Sequence, residues 1–116
     1  MNRDEGSVRR VIAYCDRIED NIRDFGSDEE DFLNSHAFQG SCAFCVFQIG
    51  ETVKRLSAEF LMNNPNGDWS KAARFRDIIA HQYDIIDLHI LWETLVVDMP
   101  KLKALCEQSL RKLGLR

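Results

Sequence analysis

The stretch "VRRVIAYCDRIEDNIRDFG", residues 8–26, decides the fold class of this chain. Its charged residues fall between apolar residues that recur in steps of three and four, namely Val8, Val11, Ile12, Cys15, Ile18, Ile22 and Phe25. This spacing matches the 3.6-residue repeat of an α-helix, so it predicts an amphipathic helix with one buried stripe. Gly26 follows as a typical residue just past a helix C-terminus.

Helical periodicity continues after this stretch. Ser27 and Glu30 have the spacing of a capping box, which predicts a short helix or turn within "SDEEDFLNS", residues 27–35. A longer helix is predicted from His36 to Met62, with a stripe formed by Phe38, Cys42, Cys45, Ile49, Val53, Leu56 and Phe60. Phe44 and Phe47 widen its apolar surface, which indicates a central helix or a subunit interface.

The second half of the chain predicts two more helical segments. "NNPNGDW", residues 63–69, is rich in turn formers and predicts a loop. Asp68 or Ser70 can cap the helix that follows, which should run to about Tyr83. Asp87 is placed to cap the last helix, in which Pro100 must cause a kink or a restart because it has no backbone N–H.

Gly114 is predicted to end that last helix, and no convincing alternating strand interrupts the series. The sequence therefore predicts an all-α fold, an up-and-down bundle of four to five helices. Its 116 residues, 45% hydrophobic and 29% charged, fit one folded domain over residues 1–116.

Composition also limits the compartment and the partners. No apolar run approaches the roughly 20 residues of a membrane span, and "MNRDEGSVRR" has no apolar signal core, so we expect a cytoplasmic protein. The net charge of −4 argues against general coating of nucleic acid. The charge is uneven, however, with −6 over residues 1–70 and +2 over residues 71–116, so a local basic site in the second half remains possible.

The four cysteines are expected to be reduced in the cytoplasm. Cys42 and Cys45 form a C-x-x-C pair, but no second pair and no H-x-x-x-H follows it, and the surrounding "SCAFCVFQIG" is apolar. We therefore interpret them as two buried thiols on one helix face and expect neither a metal site nor a cofactor.

The helix within "WSKAARFRDIIAHQY", residues 69–83, carries polar groups that could form a site. On a helical wheel one arc, the predicted core face, holds Phe75, Ile78, Ile79 and Gln82. Asp77 and His81 are four residues apart and lie together on the opposite face. Arg76 and Tyr83 are seven residues apart and lie along one flank.

These polar groups suit the chemistry of a phosphodiester. His81 could move protons near neutral pH, Asp77 could fix the tautomer of His81, and Arg76 could bind a phosphate and neutralise developing charge. RNA supplies its own nucleophile, the 2′-hydroxyl, so no metal would be needed. Arg76 and His81 lie about 140° apart on an ideal helix. Joint action therefore needs the length of the arginine side chain, a helix break near His81, or a second subunit.

A purely structural role is also compatible with these residues. An Asp–His pair is common on a solvated helix face, and Arg76 could simply pair with Asp77 or Asp87. His36 and His89 each lie near a predicted helix start without a surrounding constellation. Trp69 and Trp92 are interpreted as packing residues.

The arrangement Arg76-x4-His81-x-Tyr83 in "RFRDIIAHQY" resembles the signature of the HEPN superfamily, and specifically of the HepT-like toxins. Trp69 precedes it, and the segment "LHILWETLVVDMPKL", residues 88–102, follows it. "GETVKRLSAEF", residues 50–60, is similar to the third helix of that family. The resemblance covers nearly the whole chain.

This resemblance implies an all-α homodimer that acts as a metal-independent endoribonuclease, the toxin of a type VII-like toxin–antitoxin pair. Arg76 and His81 would be catalytic, with Asp77 beside them where the family often has asparagine. The partner would be a MntA-like minimal nucleotidyltransferase that neutralises the toxin by attaching AMP to Tyr83. RNA would be the substrate, and Lys71 and Arg74 would join Arg76 in a basic cleft.

A second function, from another class, stays open. The chain could be a non-catalytic HEPN partner subunit that binds a nucleotidyltransferase, a nucleotide or both. In that case the Arg76–Tyr83 segment would be a docking or modification surface, and Asp77 with the acidic overall charge favours this alternative.

Overall fold

The computed structural model describes residues 3–114, which form helices joined by short turns, with no strand in that range. The α-helices are α1 (Arg3–Phe25), α2 (Glu29–Leu33), α3 (His36–Val53), α4 (Ala58–Asn63), α5 (Trp69–Gln82), α6 (Leu88–Glu93) and α7 (Met99–Lys112). The predicted all-α class is confirmed. No helix of the described range is long and apolar enough to cross a lipid bilayer.

The long helices pack side by side with α3 in the centre. Arg10 of α1 contacts Gln48, and Asn21 contacts Cys42, so α1 and α3 run antiparallel. α5 packs on the other flank of α3 and α7 packs on α1. This arrangement agrees with the predicted up-and-down bundle, with α2 and α4 as short connecting helices.

The core is formed by the stripes that the sequence predicts. Apolar residues of α1, α3 and α7 are buried, and the rings of Phe32, Phe38 and Trp92 pack against one another, mostly edge-on, at one end of the bundle. Trp69 packs edge-on against Phe60 and donates its indole N–H to the Asn64 carbonyl oxygen at 2.9 Å. Both tryptophans are therefore packing residues, as expected.

All four cysteines are buried free thiols. Burial raises the pKa of Cys42 and of Cys106 to about 12 each, so both stay protonated at neutral pH. The described residues contain no group of three or more His, Cys, Asp or Glu side chains that could hold a metal ion. The interpretation of Cys42 and Cys45 as packing thiols is confirmed.

The predicted single helix from His36 to Met62 is wrong. α3 ends at Val53, and α4 begins after Ser57, whose hydroxyl oxygen accepts a hydrogen bond from the Phe60 N–H. The buried Asp4 carboxylate of α1 accepts from the Ser57 N–H at 2.9 Å and from its hydroxyl at 2.6 Å. These bonds hold Ser57 in the extended conformation of a helix N-cap, so the chain turns although the apolar stripe continues.

The residues at the other helix ends mostly agree with the sequence-based expectation, with one difference at α2. Asp28, rather than Ser27, caps α2, because its carboxylate accepts from the Asp31 N–H at 2.9 Å. Gly26 ends α1 with φ = 144°, a conformation that other residues rarely adopt. Asp68 and Asp87 cap α5 and α6 as the sequence predicts.

The last helical segment passes Pro100 without a non-helical break. A π-helical turn, Thr94–Asp98, joins α6 to α7, and the Met99 N–H donates to the Thr94 carbonyl oxygen. Pro100 lies in the first turn of α7, where its missing N–H costs little. The helical register changes at this wider turn, and α7 restarts at Met99 with the proline in its first turn, which agrees with the restart that the sequence predicts.

Candidate active site

The side of α5 that faces the core differs from the predicted arc. Trp69, Ala72 and Phe75 are buried, whereas Ile78 is 40% exposed and Gln82 is exposed. The prediction that Ile78 and Gln82 face the core is therefore wrong. α5 is rotated so that its Ala72–Arg76 side packs on α3.

Gly50 of α3 sets this rotation. A β-carbon at Gly50 would lie 2.3 Å from the Arg76 β-carbon and 2.8 Å from the Ala72 carbonyl oxygen. Both distances are shorter than any van der Waals contact, so only glycine lets the two backbones come this close. The close approach turns Arg76 towards α3 rather than along a solvent-exposed flank.

Arg76 contacts Glu51 and Phe47 of α3 and its own neighbour Asp77 in α5. Its Nε is buried and lies 2.5 Å from Glu51 Oε2, an ion pair in which the N–H does not point along a hydrogen bond. Its Nη1 donates to Asp77 Oδ1 at 3.1 Å, and its guanidinium carbon lies 4.7 Å from the centre of the Phe47 ring. Nη2 has no partner among residues 3–114 and remains available for an anion.

Asp77 contacts Arg76 and Lys54 rather than His81. Its Oδ1 accepts from Lys54 Nζ at 2.7 Å as well as from Arg76. The hydrogen bond from Lys54, followed by that from Arg76, lowers the pKa of Asp77, so the carboxylate is ionised at neutral pH. The structure therefore does not support the suggestion that Asp77 fixes the tautomer of His81, and it gives Asp77 a role in orienting Arg76.

His81 is exposed near the C-terminal end of α5 and makes no hydrogen bond or ion pair with any residue in the described range. α5 continues to Gln82, so no break precedes His81. Five residues of regular helix separate it from Arg76 by a rise of about 7.5 Å and a rotation of about 140°. A single chain therefore directs the two side chains to different sides of α5.

Tyr83 begins a 3-10 turn, Tyr83–Ile85, directly after α5. Gln82, with φ = −140° and ψ = 28°, breaks the helix there. The Tyr83 side chain is 41% exposed, and a β-carbon at Gly40 of α3 would lie 3.8 Å from its hydroxyl. The phenol thus lies beside α3, on the flank of α5 that also carries Arg76, and solvent reaches it.

The predicted basic cleft of Lys71, Arg74 and Arg76 does not form in one protomer. Lys71 Nζ pairs with Asp98 at 3.0 Å in a cleft of about 350 Å³ between α5 and α7. Arg74 is exposed and donates to Ser70 Oγ at 3.3 Å, and it lies about 200° from Arg76 around the helix. In a single chain α5 presents these three residues to different surroundings, and their grouping in one basic cleft stays a prediction.

Sequence reasoning missed the residues that position Arg76 and Asp77, namely Phe47, Gly50 and Glu51 of α3 and Lys54 at its C-terminal cap. Glycine within an apolar helix signals close approach of another backbone, so Gly50 could have been recognised. Phe47, Glu51 and Lys54 could not be recognised, because the contacts of Phe47 and Glu51 with Arg76 and of Lys54 with Asp77 depend on how α3 and α5 pack. Of the remaining histidines, His36 is exposed and His89 contacts Glu29.

Comparison with known proteins identifies the family to which this chain is similar. The family model described as Ribonuclease HepT-like matches residues 11–109. A candidate RNase of Methanocaldococcus jannaschii is 29% identical over 103 residues, covering 89% of this chain and 87% of its own length. The probable ribonuclease HepT of Thermococcus cleftensis is 36% identical over 83 residues, covering 72% of this chain and 74% of its own length. No solved structure gives a significant match.

The helical fold and the family match together place this chain among the all-α proteins of a ribonuclease family. The chain belongs to the HepT-like ribonuclease family, which confirms the resemblance to HepT-like HEPN proteins.

Proposed function

We propose that this protein is a metal-independent endoribonuclease whose site combines Arg76 and His81 of α5. The observation that carries the proposal is the exposure of His81 and the free donor of Arg76, in a chain that belongs to a ribonuclease family. His81 is exposed and free of protein partners within residues 3–114, and Arg76 is fixed through Nε and Nη1 while Nη2 has no partner. The imidazole of His81 can thus move a proton, and the guanidinium of Arg76 can hold a phosphate.

The proposed reaction is attack by the ribose 2′-hydroxyl on the adjacent phosphorus. His81 removes the hydroxyl proton, the 2′-oxygen bonds to phosphorus, and the bond to the 5′-oxygen breaks. That 5′-oxygen takes up a proton from water, so the products are a 2′,3′-cyclic phosphate and a 5′-hydroxyl end, and His81 returns its proton to water afterwards. Arg76 Nη2 stabilises the charge that develops on the phosphate oxygens.

The geometry of one protomer favours a homodimer as the active form. Arg76 faces α3 and His81 faces solvent, so both reach one phosphate only if a second copy supplies one of them. The exposed apolar residues Ile78 and Ile85, which flank His81 along the chain, give this end of α5 a surface suited to such a contact.

The activity is tested with end-labelled single-stranded RNA and the purified protein in the presence of EDTA. We expect cleavage that leaves 2′,3′-cyclic phosphate ends, identified by mass spectrometry of the fragments. Loss of cleavage on chelation, or 3′-hydroxyl ends, would contradict the proposed reaction.

We further propose that the protein is the toxin of a toxin–antitoxin pair and is neutralised by AMP transfer to Tyr83. The phenol is exposed and lies beside α3, where an attached nucleotide would place negative charge near Arg76. An RNA phosphate would then be repelled and displaced. The enzyme that transfers AMP would be a MntA-like minimal nucleotidyltransferase.

Tyr83→Phe should abolish this modification and leave RNA cleavage active in the presence of the nucleotidyltransferase and ATP. The measurement is the mass of tryptic peptides after incubation, with an increase of one or more AMP units on the Tyr83 peptide of the wild type. Tyr14→Phe is the matched control, because Tyr14 is the other tyrosine of the chain. Modification of the Tyr83→Phe protein, or none in the wild type, would argue against Tyr83 as the acceptor.

One observation favours the alternative of a non-catalytic partner subunit. Arg76 is paired with two carboxylates, Glu51 and Asp77, which weaken its attraction for phosphate. In this alternative the same surface docks a nucleotidyltransferase or a nucleotide. Growth arrest on expression of the chain alone supports the ribonuclease, whereas harmless expression with tight nucleotidyltransferase binding supports the partner subunit.

A further inference from the structure

A cluster of two arginines and two aromatic rings lies on the surface where α1 packs on α3. It consists of Arg10, Tyr14 and Arg17 of α1 and Phe44 of α3, and we refer to it as the arginine–aromatic cluster. The guanidinium carbons of Arg10 and Arg17 each lie 5.2 Å from the centre of the Tyr14 ring. Arg17 also lies 5.6 Å from the centre of the Phe44 ring, and the two rings are 6.0 Å apart.

The positive charge of this cluster is not neutralised by a carboxylate. Arg10 hydrogen bonds to the neutral side chain of Gln48, at 3.3 Å from its Oε1. Arg17 contacts only the two rings, and neither arginine has an ion pair within the described part of the chain. Both side chains lie on the exposed face of α1.

Neighbouring acidic residues of α1 are occupied elsewhere. Asp16 and Glu19 both pair with Lys103 of α7, at 2.7 Å and 3.1 Å. Asp20 pairs with Arg23 at 3.1 Å. The sequence as a whole is acidic, yet this surface presents two unpaired guanidinium groups.

The aromatic part of the cluster is accessible. Phe44 is 46% exposed although it is a large apolar side chain in the middle of the central helix. A half-exposed ring with the Arg17 guanidinium beside it offers a face on which an unpaired base can stack, while the guanidinium groups of Arg17 and Arg10 meet the adjacent phosphates. Base-paired RNA keeps its bases stacked inside the duplex and offers no such face.

The cluster is also continuous with the candidate active site. Phe47 lies three residues after Phe44, hence next to it on the helix surface, and the Arg76 guanidinium carbon lies 4.7 Å from the centre of the Phe47 ring. Gly40, one turn before Phe44, faces the Tyr83 hydroxyl. A row of aromatic side chains therefore crosses α3 from the cluster to Arg76.

We propose that the arginine–aromatic cluster binds the single-stranded RNA that flanks the cleaved bond. A base stacks on Phe44, and Arg10 and Arg17 hold its neighbouring phosphates. The proposal rests on the proposed function, because it takes RNA as the substrate. It assigns substrate binding to α1 and α3, where the sequence gives no basic excess, rather than to Lys71 and Arg74.

Binding of a fluorescein-labelled single-stranded 12-mer RNA by fluorescence anisotropy tests this inference, with His81→Ala in every protein to prevent cleavage. We expect Arg10→Gln with Arg17→Gln to weaken binding about tenfold and to reduce the slope of log K against log salt by about 1.4, since two phosphate contacts are lost. Phe44→Leu, which keeps an apolar side chain, should weaken binding about fivefold or more by loss of stacking.

The matched control is Arg9→Gln with Arg23→Gln. It removes the same charge from exposed positions of the same helix, where each arginine pairs with a carboxylate. We expect at most a twofold change in affinity and little change in the salt slope. Equal weakening by control and test variants would mean that general charge, not the cluster, binds the RNA, and would overturn the inference.

Two further outcomes separate this inference from the proposed function. If the wild type cleaves RNA but Arg10→Gln with Arg17→Gln and Phe44→Leu bind it normally, the inference fails and the ribonuclease stands. If the variants lose binding while the wild type binds RNA without cleaving it, the inference stands and the ribonuclease fails.

If light scattering shows that Phe44→Leu separates a dimer without changing RNA affinity, the cluster faces a second copy and the inference is overturned.

Discussion

Replacing His81 with alanine is expected to lower RNA cleavage by a factor of about 100 to 10,000, the usual contribution of a general acid–base group. The fold should be unaffected, because His81 is exposed and has no partner within residues 3–114. The measurement is the initial rate of cleavage of single-stranded RNA, together with the thermal unfolding curve of each protein. A large loss of rate with an unchanged unfolding temperature would identify a chemical rather than a structural role.

His36→Ala and His89→Ala are the matched controls, since both histidines are also exposed. Each should retain at least half of the wild-type rate. Equal rates for His81→Ala and the wild type would refute the role of His81 and leave the partner-subunit alternative as the better explanation. A comparable loss in His36→Ala would point instead to a general effect on RNA binding.

Most of the fold could be predicted from the sequence because its determinants are local. The steps of three and four in α1, the caps Asp68 and Asp87, and Gly26 each depend on a few neighbouring residues. The boundary between α3 and α4 could not be predicted in this way. It depends on Asp4, which is 53 residues from Ser57 along the chain.

The same distinction between local and long-range determinants applies to the candidate site. Arg76, His81 and Tyr83 could be selected because their chemistry and spacing are visible within one short stretch of sequence. The surroundings of those residues could not be predicted, because a helical wheel does not fix which side of α5 packs on α3. Once Gly50 fixes that arc, Arg76 faces Glu51, Asp77 turns to Lys54, and Lys71 turns to Asp98.

Gly50→Ala is expected to lower the free energy of unfolding by about 1–3 kcal/mol, the usual cost of overpacking a tight interior contact. Alanine is the better helix former by about 0.5–1 kcal/mol, so the sign depends on the space around the new methyl group. At this position the alanine methyl would overlap the Arg76 β-carbon. It would also lie 2.8 Å from the Ala72 carbonyl oxygen. A backbone oxygen cannot rotate away, so α5 itself must move.

Gly6→Ala is the matched control, because Gly6 also lies within a helix but has nothing within 4 Å of its β-carbon position. It should raise the free energy of unfolding by about 0.5–1 kcal/mol. Urea denaturation of both variants and the wild type measures the two effects on one scale. If Gly50→Ala were stabilised as much as Gly6→Ala, the close contact between α3 and α5 would be wrong.

The same substitution also tests whether the position of Arg76 matters for cleavage. The overlap occurs at the first carbon of the Arg76 side chain, so a shift of α5 is carried to the guanidinium group. A displacement of about 1 Å at a phosphate-binding group can cost about 100-fold in rate. We therefore expect Gly50→Ala to lose cleavage activity at temperatures where it remains folded, whereas Gly6→Ala should keep it. Full activity in a folded Gly50→Ala protein would mean that Arg76 does not act from its place against α3.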